Sequence, residues 1–95
     1  MSDDITSLRV RIMGFVQGVG FRDFLLMAAV RHKLDGWVRN CSDGSVEALV
    51  SGSTKAVEAV VGAATQGPRC ARVSAVDLRN TEPPAEKGFR RRESE

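Results

Sequence analysis

The stretch LRVRIMGFVQGVGFRDFLLMAA, Leu8 to Ala29, changes its periodicity half-way along. Its first five residues alternate apolar and charged, which predicts a half-buried strand with Leu8, Val10 and Ile12 facing inward. From Phe21 onward the spacing is helical. Phe24, Met27 and Ala28, and Leu25, Ala28 and Ala29, recur at the i, i+3, i+4 positions of a buried face. The helix is expected to run from Phe21 to Lys33, with Arg31, His32 and Lys33 in its last turn, where cations complement the dipole. Between strand and helix lies a loop in which Gly14, Gly18 and Gly20 fall within seven residues.

Outward from this β-α unit the pattern continues in kind. GWVRNCSDGSVEALVSG, Gly36 to Gly52, reads as a hairpin, with Trp37 and Val38 in one arm, Val46, Ala48 and Val50 in the other, and Asp43-Gly44 at the turn. Ser53 or Thr54 can cap a second helix whose Val57, Val60, Val61 and Ala64 form one apolar stripe, and Gly67-Pro68 stops it. Ala71 to Leu78 contains a fourth strand, with Ala71, Val73 and Ala75 on one face. After Pro83-Pro84, Lys87 to Arg92 can add a short fifth. The order β-α-β-β-α-β predicts an α+β, ferredoxin-like split βαβ sandwich, with two helices on one face of a mainly antiparallel sheet. Residues 1–95 are expected to form one domain, with Met1 to Ser7 a flexible tail.

Composition narrows the function classes. A chain of 95 residues can bury about 60–65% of its unfolded surface, enough for one core. Hydrophobic content of 42% and charged content of 27% are ordinary for a globular protein. No apolar run approaches the roughly 20 residues of a membrane span, and no secretory leader is visible, so a cytoplasmic location away from membranes is expected. The net charge of +2 is a slight bias toward anionic partners, and eleven of the fourteen basic residues are arginine, whose planar fork suits carboxylate and phosphate. Cys41, Cys70 and the lone His32 have no metal-ligand spacing, and both cysteines are expected to be free thiols.

The glycine loop fits neither the G-x-x-x-x-G-K-[ST] phosphate loop nor the G-x-G-x-x-G dinucleotide fingerprint. A plain anion nest remains. Glycines permit backbone angles that turn successive N–H groups toward one point, and the helix beginning near Phe21 adds its positive end there. Arg22, unfavourable for the dipole in a first turn, makes sense as a clamp on an oxyanion held between them. The competing account is a tight turn with Arg22 pointing to solvent.

GFVQGVGFR, Gly14 to Arg22, and Gly36 to Gly52 closely resemble the two signature segments of the acylphosphatase family, and QGPRCARVSAV resembles its helix-to-strand passage. The resemblance runs from about Leu8 to Val76. It implies a ferredoxin-like fold and hydrolysis of the carboxyl–phosphate bond of acyl phosphates, without cofactor, metal or covalent intermediate. It carries the phosphate-binding arginine onto Arg22 and the water-orienting asparagine onto Asn40. The backbone cradle then falls on Val16, Gln17, Gly18, Val19, Gly20 and Phe21. The last strand departs from the family pattern: Phe89-Arg90-Arg91-Arg92 offers one apolar residue where alternation is usual.

The same residues carry blander readings. Asn40 can brace the hairpin, Gln17 can hold the loop or touch substrate, Trp37 is expected in the core, and Arg39 on a solvated face. Asp23 is set aside because adjacent helical positions diverge by about 100°. The expected partners are an acyl phosphate and inorganic phosphate, with the chain a monomer. A degenerate member that binds without turnover is one rival. A nucleic-acid binder using Arg90 to Arg92 is another, disfavoured because the strands lack the exposed aromatic pair of RNA-binding sheets.

Overall fold

The computed structural model describes residues 4–94, in the order β1 (Ile5–Phe15), α1 (Phe21–Arg31), β2 (Asp35–Asn40), β3 (Val46–Ser53), α2 (Thr54–Gln66), β4 (Arg72–Asn80) and β5 (Phe89–Arg91). The strands form one five-stranded sheet in the order β4-β1-β3-β2-β5. β1 pairs antiparallel with β3 and β4, β2 pairs antiparallel with β3, and β5 joins β2 in parallel. This is the expected ferredoxin-like α+β arrangement with its fifth strand.

Strand alternation sorts the sheet into two unlike faces. Val10 and Ile12 of β1, Val38 of β2, and Val46, Ala48 and Val50 of β3 point to the helix side. There they close a single core with Phe21, Leu25 and Ala29 of α1 and Val57, Val60 and Ala64 of α2. Ser53 caps α2, its Oγ accepting the Ala56 N–H at 3.2 Å.

Several expectations are corrected. Ile5, Thr6 and Ser7 are not tail: they pair with Ser53, Gly52 and Ser51, and the hydroxyls of Thr6–Thr54 and Ser7–Ser51 lie 2.6 and 2.7 Å apart. A strand extended by hydroxyl pairs leaves no apolar alternation to read. Met1 to Asp3 lie outside the described residues. The first helix stops at Arg31, because Lys33 turns left-handed (φ 60°) and the Leu34 N–H folds back to the Ala29 carbonyl at 2.9 Å, a Schellman-type end. Met27 is 63% exposed; two residues from both Leu25 and Ala29, it points about 200° away from the row that faces the sheet. In β4 a bulge opposite Met13 and Gly14 leaves Ser74 without a register partner, which switches the inward set to Val76 opposite Ile12 and puts Ala75 on the other face.

That other face holds the remaining two corrections. Trp37 is not a core residue. The guanidinium carbons of Arg9, Arg39 and Arg92 lie 5.3, 4.9 and 4.9 Å from its ring centroid. Arg39 is not a freely solvated side chain either, since its Nη2 holds Glu47 Oε1 at 2.7 Å while Arg9 Nε holds Oε2 at 3.0 Å. Glu47 is buried between them.

Candidate active site

The chain leaves β1 at Phe15 and enters α1 at Phe21 through a loop anchored at both ends, with Val16 and Phe21 in the core. Gly18 and Gly20 sit at φ 76° and 82°, and open space surrounds the Cβ that each lacks. The backbone angle alone therefore calls for glycine at both positions. Gly20 is also the N-cap of α1 and supplies no side chain to cap it. The first bond closing the helix runs from the Phe24 N–H to the Gly20 carbonyl at 3.0 Å. The N–H groups of Phe21, Arg22 and Asp23 thus have no partner within the helix, at the end where its dipole is positive.

Gln17 ties this loop to the hairpin. Its Nε2 donates to the carbonyls of Cys41 at 2.7 Å and Ser45 at 2.8 Å. The turn so gripped is a three-residue connection, Ser42 to Gly44, closed by the Cys41 N–H to Ser45 O bond of 2.8 Å and the left-handed Gly44 at φ 93°. Asp43 Oδ1 accepts from Ser45 N and Oγ at 2.9 and 2.6 Å, and these bonds hold its carboxyl below the ordinary carboxylate range.

A recess of about 160 Å³ opens where loop, helix and β2 meet. It is lined by Val16, Gly18, Gly20, Phe21, Arg22, Asp23, Asn40 and Arg91. Arg22 and Asn40, from different elements, are therefore brought together with four of the six expected loop residues. The side chains of Gln17 and Val19 are turned away, one to the hairpin and the other against the core, which leaves only their backbone to the loop.

Two side chains in the recess are conspicuously unengaged. Asn40 Oδ1 is buried and accepts no hydrogen bond among the described residues. Leaving such an acceptor unmet costs about 1–3 kcal/mol unless a donor comes to it. Asn40 does not brace the hairpin turn, which Gln17, Asp43 and Ser45 hold. The Arg22 guanidinium is in no ion pair with any described residue, whereas Arg91, the other arginine lining the recess, is paired with Asp23.

Two lining residues escaped the sequence reading. Asp23 and Arg91 flank the opening as an ion pair, Oδ1 to Nη1 at 2.6 Å. The signal for Arg91 was present: counted by twos from Phe89, which packs on the core, it falls on the helix side of β5. Two larger recesses lie on the opposite sheet face, but the charges of one are already paired, Arg9 with Glu47 and Arg79 with Asp77. Among the described residues no three His, Cys, Asp or Glu side chains cluster as a metal site would require.

A family model described as Acylphosphatase matches residues 8–91, and so takes in the short last strand as well. The chain belongs to the acylphosphatase family. It is 49% identical over 81 residues to an acylphosphatase of Acidiphilium cryptum, covering 85% of this chain and 89% of that one. Among solved structures, an acylphosphatase from Coxiella burnetii superposes with a TM-score of 0.88 at 32% identity, covering 94% of each chain. The acylphosphatase from Bacillus subtilis superposes with a TM-score of 0.84 at 34% identity, covering 92% of this chain and 97% of that one. These matches span most of each partner's length, so the family resemblance extends beyond the two short segments to the whole fold.

Proposed function

We propose that this protein is an acylphosphatase that cleaves the carboxyl–phosphate bond of acyl phosphates by direct attack of an oriented water. The observation that carries the proposal is the meeting of Arg22 and the unmet acceptor Asn40 Oδ1 over the N-terminus of α1. The phosphoryl oxygens are bound by the open N–H groups of the Val16 to Phe21 loop and the helix end, with Arg22 clamping two of them. Asn40 Oδ1 accepts a hydrogen bond from the attacking water and holds its oxygen toward phosphorus. Charge stabilisation and positioning of this kind dominate phosphoryl transfer.

The site asks for little acid–base equipment because the leaving group is easy. An acyl phosphate expels a carboxylate whose conjugate acid has a pKa of about 4, so departure needs no general acid and no Lewis acid. We read the enzyme as metal-independent on that ground, and as a monomer working in the cytoplasm on a small-molecule substrate.

Hydrolysis of benzoyl phosphate in the presence of chelator, followed by ultraviolet absorbance, tests the proposal. Rapid turnover is expected in the parent, together with inhibition by inorganic phosphate. Arg22→Ala, still folded by circular dichroism, should lose both. Phosphate inhibition that survives in Arg22→Ala would remove Arg22 from the cradle. Phosphate binding without turnover in the parent would leave a binding protein on this fold.

A further inference from the structure

The Asp23–Arg91 pair stands at the mouth of the recess and joins side chains 68 residues apart in sequence. Asp23 is awkward there. A carboxylate in the first turn suits the helix dipole, but it competes for the same positive end that an incoming phosphoryl group needs, and it repels that group. Arg91 is delivered to it by a strand that is itself carefully held. β5 pairs with β2 so that Arg91 lies beside Val38, the Arg92 N–H donates to the Val38 carbonyl at 2.8 Å, and the Gly88 N–H donates to Asp35 Oδ1 at 2.7 Å. Parity then sends Phe89 into the core and Arg91 over the loop. The Arg91 and Asp23 side chains are 44% and 62% exposed. A pair so exposed contributes little to folding stability, so stability does not account for a charge in that position.

We propose that Arg91 sets the phosphate affinity of this site by cancelling the charge of Asp23. With the pair formed, the phosphoryl anion meets Arg22 and the helix N-terminus free of a competing carboxylate. This rests on the reading that the recess binds phosphate. Arg91 acts through Asp23 and through the field at the mouth, so it is a positioning and affinity residue rather than a catalytic one.

The signature is a pattern of opposite signs. Arg91→Gln exposes Asp23 to the ligand and should weaken inhibition by inorganic phosphate and raise KM roughly three- to tenfold at low salt, with kcat changed much less. Asp23→Asn frees Arg91 toward the ligand and should tighten phosphate inhibition. The double variant should return close to the parent, and Arg91→Lys should keep most of the affinity. A purely structural pair predicts something different, namely losses in the same direction from both single variants.

The experiment is inorganic-phosphate inhibition and benzoyl phosphate KM in these five proteins at low and high salt, with melting temperatures and direct phosphate binding by calorimetry. An unchanged phosphate constant in folded Arg91→Gln, or weakened binding in Asp23→Asn, overturns the inference while leaving the phosphate site intact. A parent that neither binds phosphate nor hydrolyses benzoyl phosphate overturns the proposed function, and this inference with it.

Discussion

Asn40 lies on β2 and turns the same way as Gly36 and Val38, toward the helices, yet its carboxamide oxygen finds no donor there among the described residues. A side chain with a polar atom in that condition is tuned for something other than stability. Asn40→Ala should accordingly lower kcat by roughly a hundredfold or more, because a misplaced nucleophile forfeits the advantage of orientation. Inorganic-phosphate inhibition should shift only a few-fold, and the melting temperature should not fall. Steady-state kinetics beside a thermal melt checks all three, and a large loss of phosphate binding with kcat preserved would make Asn40 a binding group instead. At this scale the sequence was informative where residue type and chain context coincide. Arg22 sits at a helix start after glycines, and Asn40 sits inside a signature segment. Asp23 and Arg91 were not legible as a pair, because what joins them is the register of a parallel strand 68 residues away.

Among the elements, the glycine loop and the β2–β3 turn behave as one part, since Gln17 donates to two carbonyls of the turn. Gln17→Ala removes one donor from each carbonyl, which keep only their bonds from the Gly44 and Cys41 N–H groups, and should cost about 0.5–1.5 kcal/mol of stability per bond lost. With the proposed cradle it should also weaken phosphate inhibition, since the loop then loses its tether to the strand carrying Asn40. Denaturant midpoints and phosphate inhibition measured on one preparation report both effects; a loss of stability with inhibition unaltered would show that the loop keeps its shape alone. Element order was readable from periodicity alone. The details that escaped it, the first three residues of β1, the bulge at Ser74 and the early end of α1, depend on pairing partners and backbone closure rather than on the local run of side chains.

Across the whole molecule the sheet separates two kinds of chemistry. The helix side carries the core and the recess, and the open side carries a charge network centred on Glu47. Burial pushes the Glu47 carboxyl up, but the hydrogen bonds from Arg39 and Arg9 outweigh it and leave the group below its ordinary value of 4.5. A depressed carboxyl stabilises the fold fully above its unfolded pKa and loses that contribution as pH falls through the folded one. Glu47→Gln should therefore be less stable than the parent at neutral pH, with the two converging below about pH 4. Urea melts of both proteins from pH 7 to pH 3 measure the gap; a gap independent of pH would show that the network's charge contributes nothing. The sequence disclosed the alternation that builds this face. It did not disclose how the face is filled, since Arg9, Glu47 and Arg39 come from three strands whose neighbours only the topology decides.

The ring beneath Arg9, Arg39 and Arg92 belongs to the only tryptophan in the chain. Its emission draws on β1, β2 and the segment after β5 at once, from the side of the sheet away from the recess. Phosphate titrations should leave that light unchanged, while any separation of the strands alters it. The protein thus carries an internal optical control, one that separates a variant deprived of its ligand from a variant deprived of its fold.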